Sequence, residues 1–460
     1  MLEKSETNAL NFKEVYFSFM CLSVYRGLLS EAVAGKLFRL VKYISGDKAC
    51  MDGFIKLYCG FYHELIKHNS KGSLKRYLAE QMLYDENPFT RAAENSGFSG
   101  MDKNIIHAAS KDLGFLSTIC RVSSGSVKSC AKKSICGSDY ELKLVDMLPD
   151  WDYPDGAGHK EPEALSPAES LIQLFLSADN WDGHIEKLAE FHNLNGTGVF
   201  LKYKAFVWER SDGAGRFRGV ENPDPVNLSD LIGYEDERSE VIDNTKQFLK
   251  GYFANNVLLY GDRGTGKSST VKAVLNEYYG YGLRIVEVPK VHLVDFPEII
   301  RELKGRKQKF IIFVDDLVFG DNEESYTALK AILEGGLENR PQNVLIYATS
   351  NRRHLIKEKF SDREGLKSGN ADDEIRAADT IQEKLSLADR FGITVVFSSP
   401  DKKGYLDIVE GIAVRRGMAI DRESLHKEAL KWELWYNGRS PRTARQFIDW
   451  LEGQSRGLEP

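Results

Sequence analysis

Gly261-Asp262-Arg263-Gly264-Thr265-Gly266-Lys267-Ser268 is the stretch on which the fold turns. This GxxxxGKS pattern leaves the apolar run NVLLY and enters the helical pattern SSTVKAVLNEYY, which is the context a phosphate-binding loop requires. Its glycines permit backbone shapes that turn successive N–H groups toward phosphate oxygens. Lys267 brings a mobile positive charge, Ser268 offers an oxygen to Mg²⁺, and Ser269 continues the cradle. The stretch implies a magnesium-bound nucleoside triphosphate.

Working outward, FANNVLLYG, GLRIVEVP, KFIIFVDD, QNVLIYATS and GITVVFSS are five apolar runs separated by helical patterns. That rhythm predicts a mostly parallel sheet with helices on both faces. KFIIFVDD delivers two carboxylates at a strand end: Asp315 to hold the metal, and Asp316 to orient or deprotonate an attacking water. Asp316 is one methylene shorter than glutamate, so its reach is in question. Taken alone, the pair also reads as a strand ending in an acidic turn. Asn351, at the polar end of VLIYATSN, could bond a terminal phosphate or its attacking water; the competing reading is an ordinary turn amide.

Upstream the texture differs. Residues 1–195 are mainly helical, with apolar and aromatic residues recurring at three and four. Residues 196–227 read as a β-hairpin and a proline-punctuated linker. The α/β segment runs over 228–400, and 401–460 reads as short helices. Phe12, Tyr16, Phe17, Phe19, Tyr25, Tyr58, Phe61 and Tyr62 are read as core, with a partner-binding groove as the second reading. SSGSVKSCAKKS reads as a flexible cationic loop carrying Lys128, Lys132 and Lys133 beside Arg121. His63 and His68 resemble a zinc pair only superficially. Five residues apart, they lie about 140° round a helix from each other.

The order of phosphate loop, hhhhDD strand, Asn351, then Leu387-Ala388-Asp389-Arg390-Phe391-Gly392 and Gly438-Arg439-Ser440-Pro441-Arg442-Thr443-Ala444-Arg445 resembles an AAA+ P-loop ATPase over about residues 228–453. DLIGYEDER, VDDLVF, EKLSLADRFG and SPRTARQF further resemble the bacterial domain-of-unknown-function 815 family. The resemblance implies a five-stranded, mostly parallel sheet between helices with a C-terminal helical lid, and ATP with Mg²⁺ as cofactors. It implies Ile232 and Gly233 as contacts near the adenine, and Arg390 as an arginine finger reaching a neighbouring subunit's nucleotide. Arg442 would be the lid arginine closing over nucleotide, with Arg445 as fallback. Arg390 also reads as an arginine pairing with acids such as Asp389 on its own surface. Arg352-Arg353-His354 could contact phosphate, an adjacent subunit or acidic neighbours. The charged stretch KEKFSDREGLKSGNADDEIRAADTIQE reads as a flexible insertion.

Length and composition bound the rest. With 460 residues, 42% hydrophobic and 28% charged, the chain can bury sizeable cores, which excludes disordered, collagenous and disulfide-stapled classes. All six cysteines precede residue 137 without a CxxC pair and are read as reduced thiols. The uncharged run Val15–Tyr25 is too short to span about 30 Å of hydrocarbon, and the opening residues lack a signal-peptide pattern, so no membrane span and a cytoplasmic location are expected. A net charge of −6 gives no support to wholesale capture of nucleic acid. The expectation is a homo-oligomeric ATPase that remodels an unknown protein client. The alternative is a nucleotide-gated loader acting on DNA with slow hydrolysis. A metabolic kinase lacks any visible acceptor site.

Overall fold

In the computed structural model all five apolar runs become strands, and the hairpin before them adds two more. The strands are β1 (Ala205–Ser211), β2 (Ala214–Gly219), β3 (Val257–Gly261), β4 (Leu283–Glu287), β5 (Lys309–Val314), β6 (Val344–Ser350) and β7 (Ile393–Phe397). The structure describes residues 10–46, 48–68, 73–152, 166–211, 213–317, 327–330, 333, 341–351, 390–418, 420–436 and 438–455. The chain divides into two compact units, Met1–Lys202 and Tyr203–Pro460.

In the second unit the strands form one sheet in the order β2-β1-β4-β5-β6-β3-β7. Every pairing is parallel except β1 with β2. All seven residues of β6 and five of the six in β5 are buried, as expected of strands covered on both faces. The hairpin departs from the five-stranded expectation because of β1. Phe206 and Trp208 alternate into the core while its backbone pairs with β4 from Ala205↔Ile285 to Val207↔Glu287. β2 is left as the edge strand, where Arg216 and Arg218 bond Glu209 and keep the edge charged.

β3 leads on to β4 on one side of the sheet, whereas its neighbour β6 leads to β7 on the other, so the connections leaving these two adjacent strands diverge. The crevice beyond the carboxyl ends of strands at such a reversal is where open α/β sheets bind ligands. Above it three helices, Lys402–Arg415, Arg422–Trp435 and Pro441–Ser455, close on their own apolar core of Tyr405, Val409, Ala429, Ala444, Phe447 and Ile448. Asp401 and Asp421 cap the first two, and Ser440 accepts the Thr443 N–H at the third.

The first unit is helical around a core that includes Phe19, Tyr25, Phe54, Tyr58, Phe61, Phe89, Trp151 and Trp181. Phe12 is buried with them, whereas Phe17 is 60% exposed. SSGSVKSCAKKS is a helix, Ser124–Ser134, not a loop, because Ser123 and Ser126 form a reciprocal cap at its start. Two of its cations have acidic partners: Lys128 Nζ lies 2.7 Å from Asp150, and Lys132 pairs with Asp146, while Lys133 is exposed. Glu64, between His63 and His68, pairs with Lys36 and accepts from His68. The six cysteines are free thiols. Among the described residues no helix is long and apolar enough to cross a membrane.

Candidate nucleotide site

The phosphate loop takes its shape from positions only glycine fills. β3 ends at Gly261 with φ 138°, where a Cβ would stand 2.0 Å from the carbonyl oxygen of Phe397. Gly266, φ 97°, precedes the helix Lys267–Tyr278. The first N–H groups of a helix have no intrahelical acceptor, and here the Thr270 amide is the one that closes back on Gly266, at 2.9 Å. Ahead of it, Arg263, Gly264, Thr265, Gly266, Lys267, Ser268 and Ser269 line a cavity of about 460 Å³. Gly261 and Asp262 stand behind this wall. Their carbonyl oxygens accept from Lys267 Nζ at 2.9 and 2.6 Å, and the Asp262 carboxylate accepts from the Ser399 amide at 2.7 Å, tying the loop to the end of β7. Hydrogen bonding from the Ser399 side chain, and then from its amide, holds the Asp262 carboxyl below the usual range. Burial pulls the Lys267 ammonium below the usual lysine range, against the opposing pull of Asp262, Asp315 and Asp316.

Opposite the loop, β5 and β6 bring their polar ends together. Ser268 Oγ donates to Asp315 Oδ1 at 2.6 Å, joining the two residues expected at the metal. A hydroxyl beside a carboxylate is a hard oxygen pair that suits Mg²⁺, which commonly takes one or two protein oxygens and completes its shell with phosphates and water. No cluster of three or more metal-ligating side chains exists among the described residues, so any cation here would need those additional ligands. Asp316 has φ 52°, one of two non-glycine residues in the left-handed region among those described. Its Oδ1 accepts from Asn351 Nδ2 at 2.7 Å and its Oδ2 lies 3.4 Å from Lys290 Nζ. Asp315, Asp316 and Asn351 all line the cavity.

The remaining wall is the segment 230–234 together with the helical lid. Asp230, Leu231, Ile232 and Tyr234 line the cavity with Ile408, Ile412, Pro441, Arg442 and Arg445. Gly233, φ 76°, does not; its carbonyl accepts from the buried Arg238 guanidinium. Tyr234 donates to the Ser398 carbonyl at 2.6 Å. Arg442 meets the loop through its own amide, 3.1 Å from the Gly264 carbonyl oxygen. Arg445 lines the cavity beside it. Arg390 is half-buried and does not line the cavity. Arg352-Arg353-His354, and the charged stretch after it, lie outside the described residues.

Two residues that reach the acidic pair were not singled out from sequence. Thr349 is the last residue but one of β6, two positions before Asn351, which lies just past the strand end, and the pairing of β6 with β5 carries it to the acidic pair. Lys290 follows β4, and only the pairing of β4 with β5 carries it to Asp316.

A phosphate loop after β3, an acidic pair after β5 two strands away, the polar end of β6 between them and a helical lid above make this unit an AAA+ P-loop ATPase module. The family model "Protein of unknown function (DUF815)" matches residues 201–455, more than half of the chain, and the protein belongs to that family. A putative 26S proteasome regulatory subunit homolog of Methanocaldococcus jannaschii is 28% identical over 238 residues, covering 45% of this chain and 63% of the relative. The proteasome-activating nucleotidase of Methanothermobacter thermautotrophicus is 29% identical over 163 residues, 30% of this chain and 40% of the relative. The chain thus spans less than two thirds of the length of these curated relatives. Among solved structures, the Thermotoga maritima RuvB Holliday junction branch migration motor matches with TM-score 0.30 and 15% identity, over 51% of this chain and 74% of that one.

Proposed function

We propose that the protein is a Mg²⁺-dependent ATPase whose lid couples the nucleotide's state to the remodelling of a protein client. The observation that carries this reading is the convergence on one cavity of Lys267, the Ser268–Asp315 pair and the Asp316–Asn351 pair. Lys267, now bonded to the loop's own carbonyls, exchanges those partners for phosphate oxygens. Ser268 and Asp315 hold Mg²⁺, which when bound neutralises charge on the phosphates. Asp316 accepts a proton from the attacking water or orients it, with Asn351 holding the carboxylate and the terminal group in line. Ile232 sits by the base, with Gly233 behind it shaping the turn. Arg442, with Arg445 beside it, responds to the phosphates from the lid, so binding pulls the lid toward the loop. Arg390 serves a neighbouring subunit in a homo-oligomer, stabilising charge that develops in the transition state. Similarity to a putative proteasome regulatory subunit homolog and to a proteasome-activating nucleotidase supports a protein client over a nucleic acid.

A second reading, a nucleotide-gated loader on DNA, draws on Asp316. Both of its oxygens are engaged, by Asn351 and Lys290, and the side chain is short, which favours slow hydrolysis. Turnover with and without DNA separates the two: strong stimulation favours the loader. The primary test is a pair of variants. Lys267→Ala abolishes nucleotide binding in calorimetry. Arg390→Ala keeps binding and loses turnover by about 10³-fold or more. Wild-type turnover by Arg390→Ala would sink the in-trans finger.

A further inference from the structure

Asp315 and Asp316 are consecutive residues with different tasks, one at the metal and one at the water, so their two carboxylates must be held in different directions. One side chain from the adjacent strand touches both. Thr349, 2% exposed at the end of β6, places Oγ1 2.5 Å from Asp315 Oδ1 and 2.9 Å from the Asp316 amide nitrogen. A threonine hydroxyl carries a single proton. Because the Asp316 N–H can only donate, Oγ1 accepts there, and its proton is committed to Asp315 Oδ1.

That same oxygen also receives the Ser268 hydroxyl at 2.6 Å, and the Asp316 amide lies 3.1 Å from it. Oδ1 is saturated by protein donors. Oδ2 makes no hydrogen bond among the described residues. Thr349 also acts through its backbone, because its carbonyl accepts the Leu317 amide at 2.6 Å. The amides on either side of Asp316 Cα therefore both bond to Thr349, across the residue that carries φ 52°. A left-handed aspartate persists only where its surroundings over-determine it, and these two bonds do so.

We propose that Thr349 is a positioning residue: its hydroxyl decides which oxygen of Asp315 is left for the cation, and its bond to the Asp316 amide keeps the second carboxylate turned toward Asn351. The proposal rests on the reading that Ser268 and Asp315 hold Mg²⁺. Buried partners of this kind typically alter metal affinity or activity by about 10- to 100-fold when removed, because the ligand loses its orientation although no ligand atom is lost.

Thr349→Val removes the hydroxyl at nearly constant shape, and Thr349→Ser keeps it. The measurement is binding of a fluorescent non-hydrolysable ATP analogue, first in EDTA and then across a Mg²⁺ titration, with turnover recorded in parallel. Thr349→Val is expected to bind the analogue in EDTA as the wild type does, yet to need about 10- to 100-fold more Mg²⁺ for half-maximal response. Thr349→Ser should stay within about threefold of wild type on both readouts. If Thr349→Val does not fold, Thr349→Ala against Thr349→Ser isolates the same hydroxyl. A wild-type Mg²⁺ requirement in the hydroxyl-free variants overturns the proposal, as does a serine variant no better than they are. Wild-type protein that ignores the analogue in both buffers overturns the ATP reading itself, and the role of Thr349 with it.

Discussion

His192 lies wholly inside the helical unit, its Nδ1 3.0 Å from the Gly196 carbonyl oxygen and its Nε2 without a hydrogen-bond partner among the described residues. Burial pushes its pKa down to about 4, against a smaller opposing pull from the Gly196 carbonyl. The native ring is therefore neutral where an unfolded one, titrating near 6.5, takes up a proton. Between those values the unfolded chain binds more protons than the native one. Stability must fall as pH drops from about 6.5 to about 4, by up to about 3 kcal/mol, and level off below. Thermal melts at pH 7 and pH 4.5 check this against His192→Gln, which keeps a donor for Gly196 without titrating. The variant should lose less stability between the two pH values than the wild type, and an equal loss would place the acid sensitivity in other groups.

The contact between lid helix Lys402–Arg415 and the turn at Leu228–Tyr234 shows which kind of bond matters at the element scale. Arg415 reaches Asp230 at 2.6 Å and bonds Ser229, but its side chain is 42% exposed. Ion pairs in such solvent are worth about 0–1 kcal/mol. Gly411 is different. A Cβ there would stand 2.6 Å from Ile232 Cγ2, so the helix approaches the turn only because that atom is missing. Overpacking of this kind costs about 1–3 kcal/mol. Gly411→Val should weaken nucleotide binding, read by calorimetry, clearly more than Arg415→Ala does, since it forces apart the two walls lined by Ile232 and Ile408. The opposite ranking would mean that charge holds the lid here.

At the scale of the whole molecule the question is assembly. Arg390 does not line the cavity of its own unit, and in the proposed assembly it serves the nucleotide of a neighbour. Lys267→Ala lacks nucleotide but keeps Arg390; Arg390→Ala keeps nucleotide but lacks the finger. Each should be inactive alone, and mixing them should restore part of the turnover at subunit junctions that pair the two intact halves. A mixture as silent as its components would remove the in-trans scheme. Lys128 and Lys132 are paired with Asp150 and Asp146, so half of this cluster is already spent on acidic neighbours, and the chain as a whole carries a net charge of −6. Turnover indifferent to DNA is the expected result.

Sequence by itself determined whatever depends on a few consecutive residues. The phosphate loop, the five strands of the core sheet, the acidic pair and Asn351 could all be read because glycine's torsional freedom, β-branched apolar runs and strand-end carboxylates are local signals, although β7, read as buried, is an edge strand with Thr394 and Val396 exposed. Tertiary structure decided what depends on which strands lie side by side. The hairpin joined the sheet because β1 presents Phe206 and Trp208 to the core along the free side of β4. Thr349 and Lys290 reached the acidic pair because β6 and β4 flank β5, and Arg445 came to line the cavity with Arg442 because the third lid helix starts on the loop. Strand order in a parallel sheet is set by long crossovers whose choice no local run of residues encodes, so those neighbours become visible only once the chain is folded.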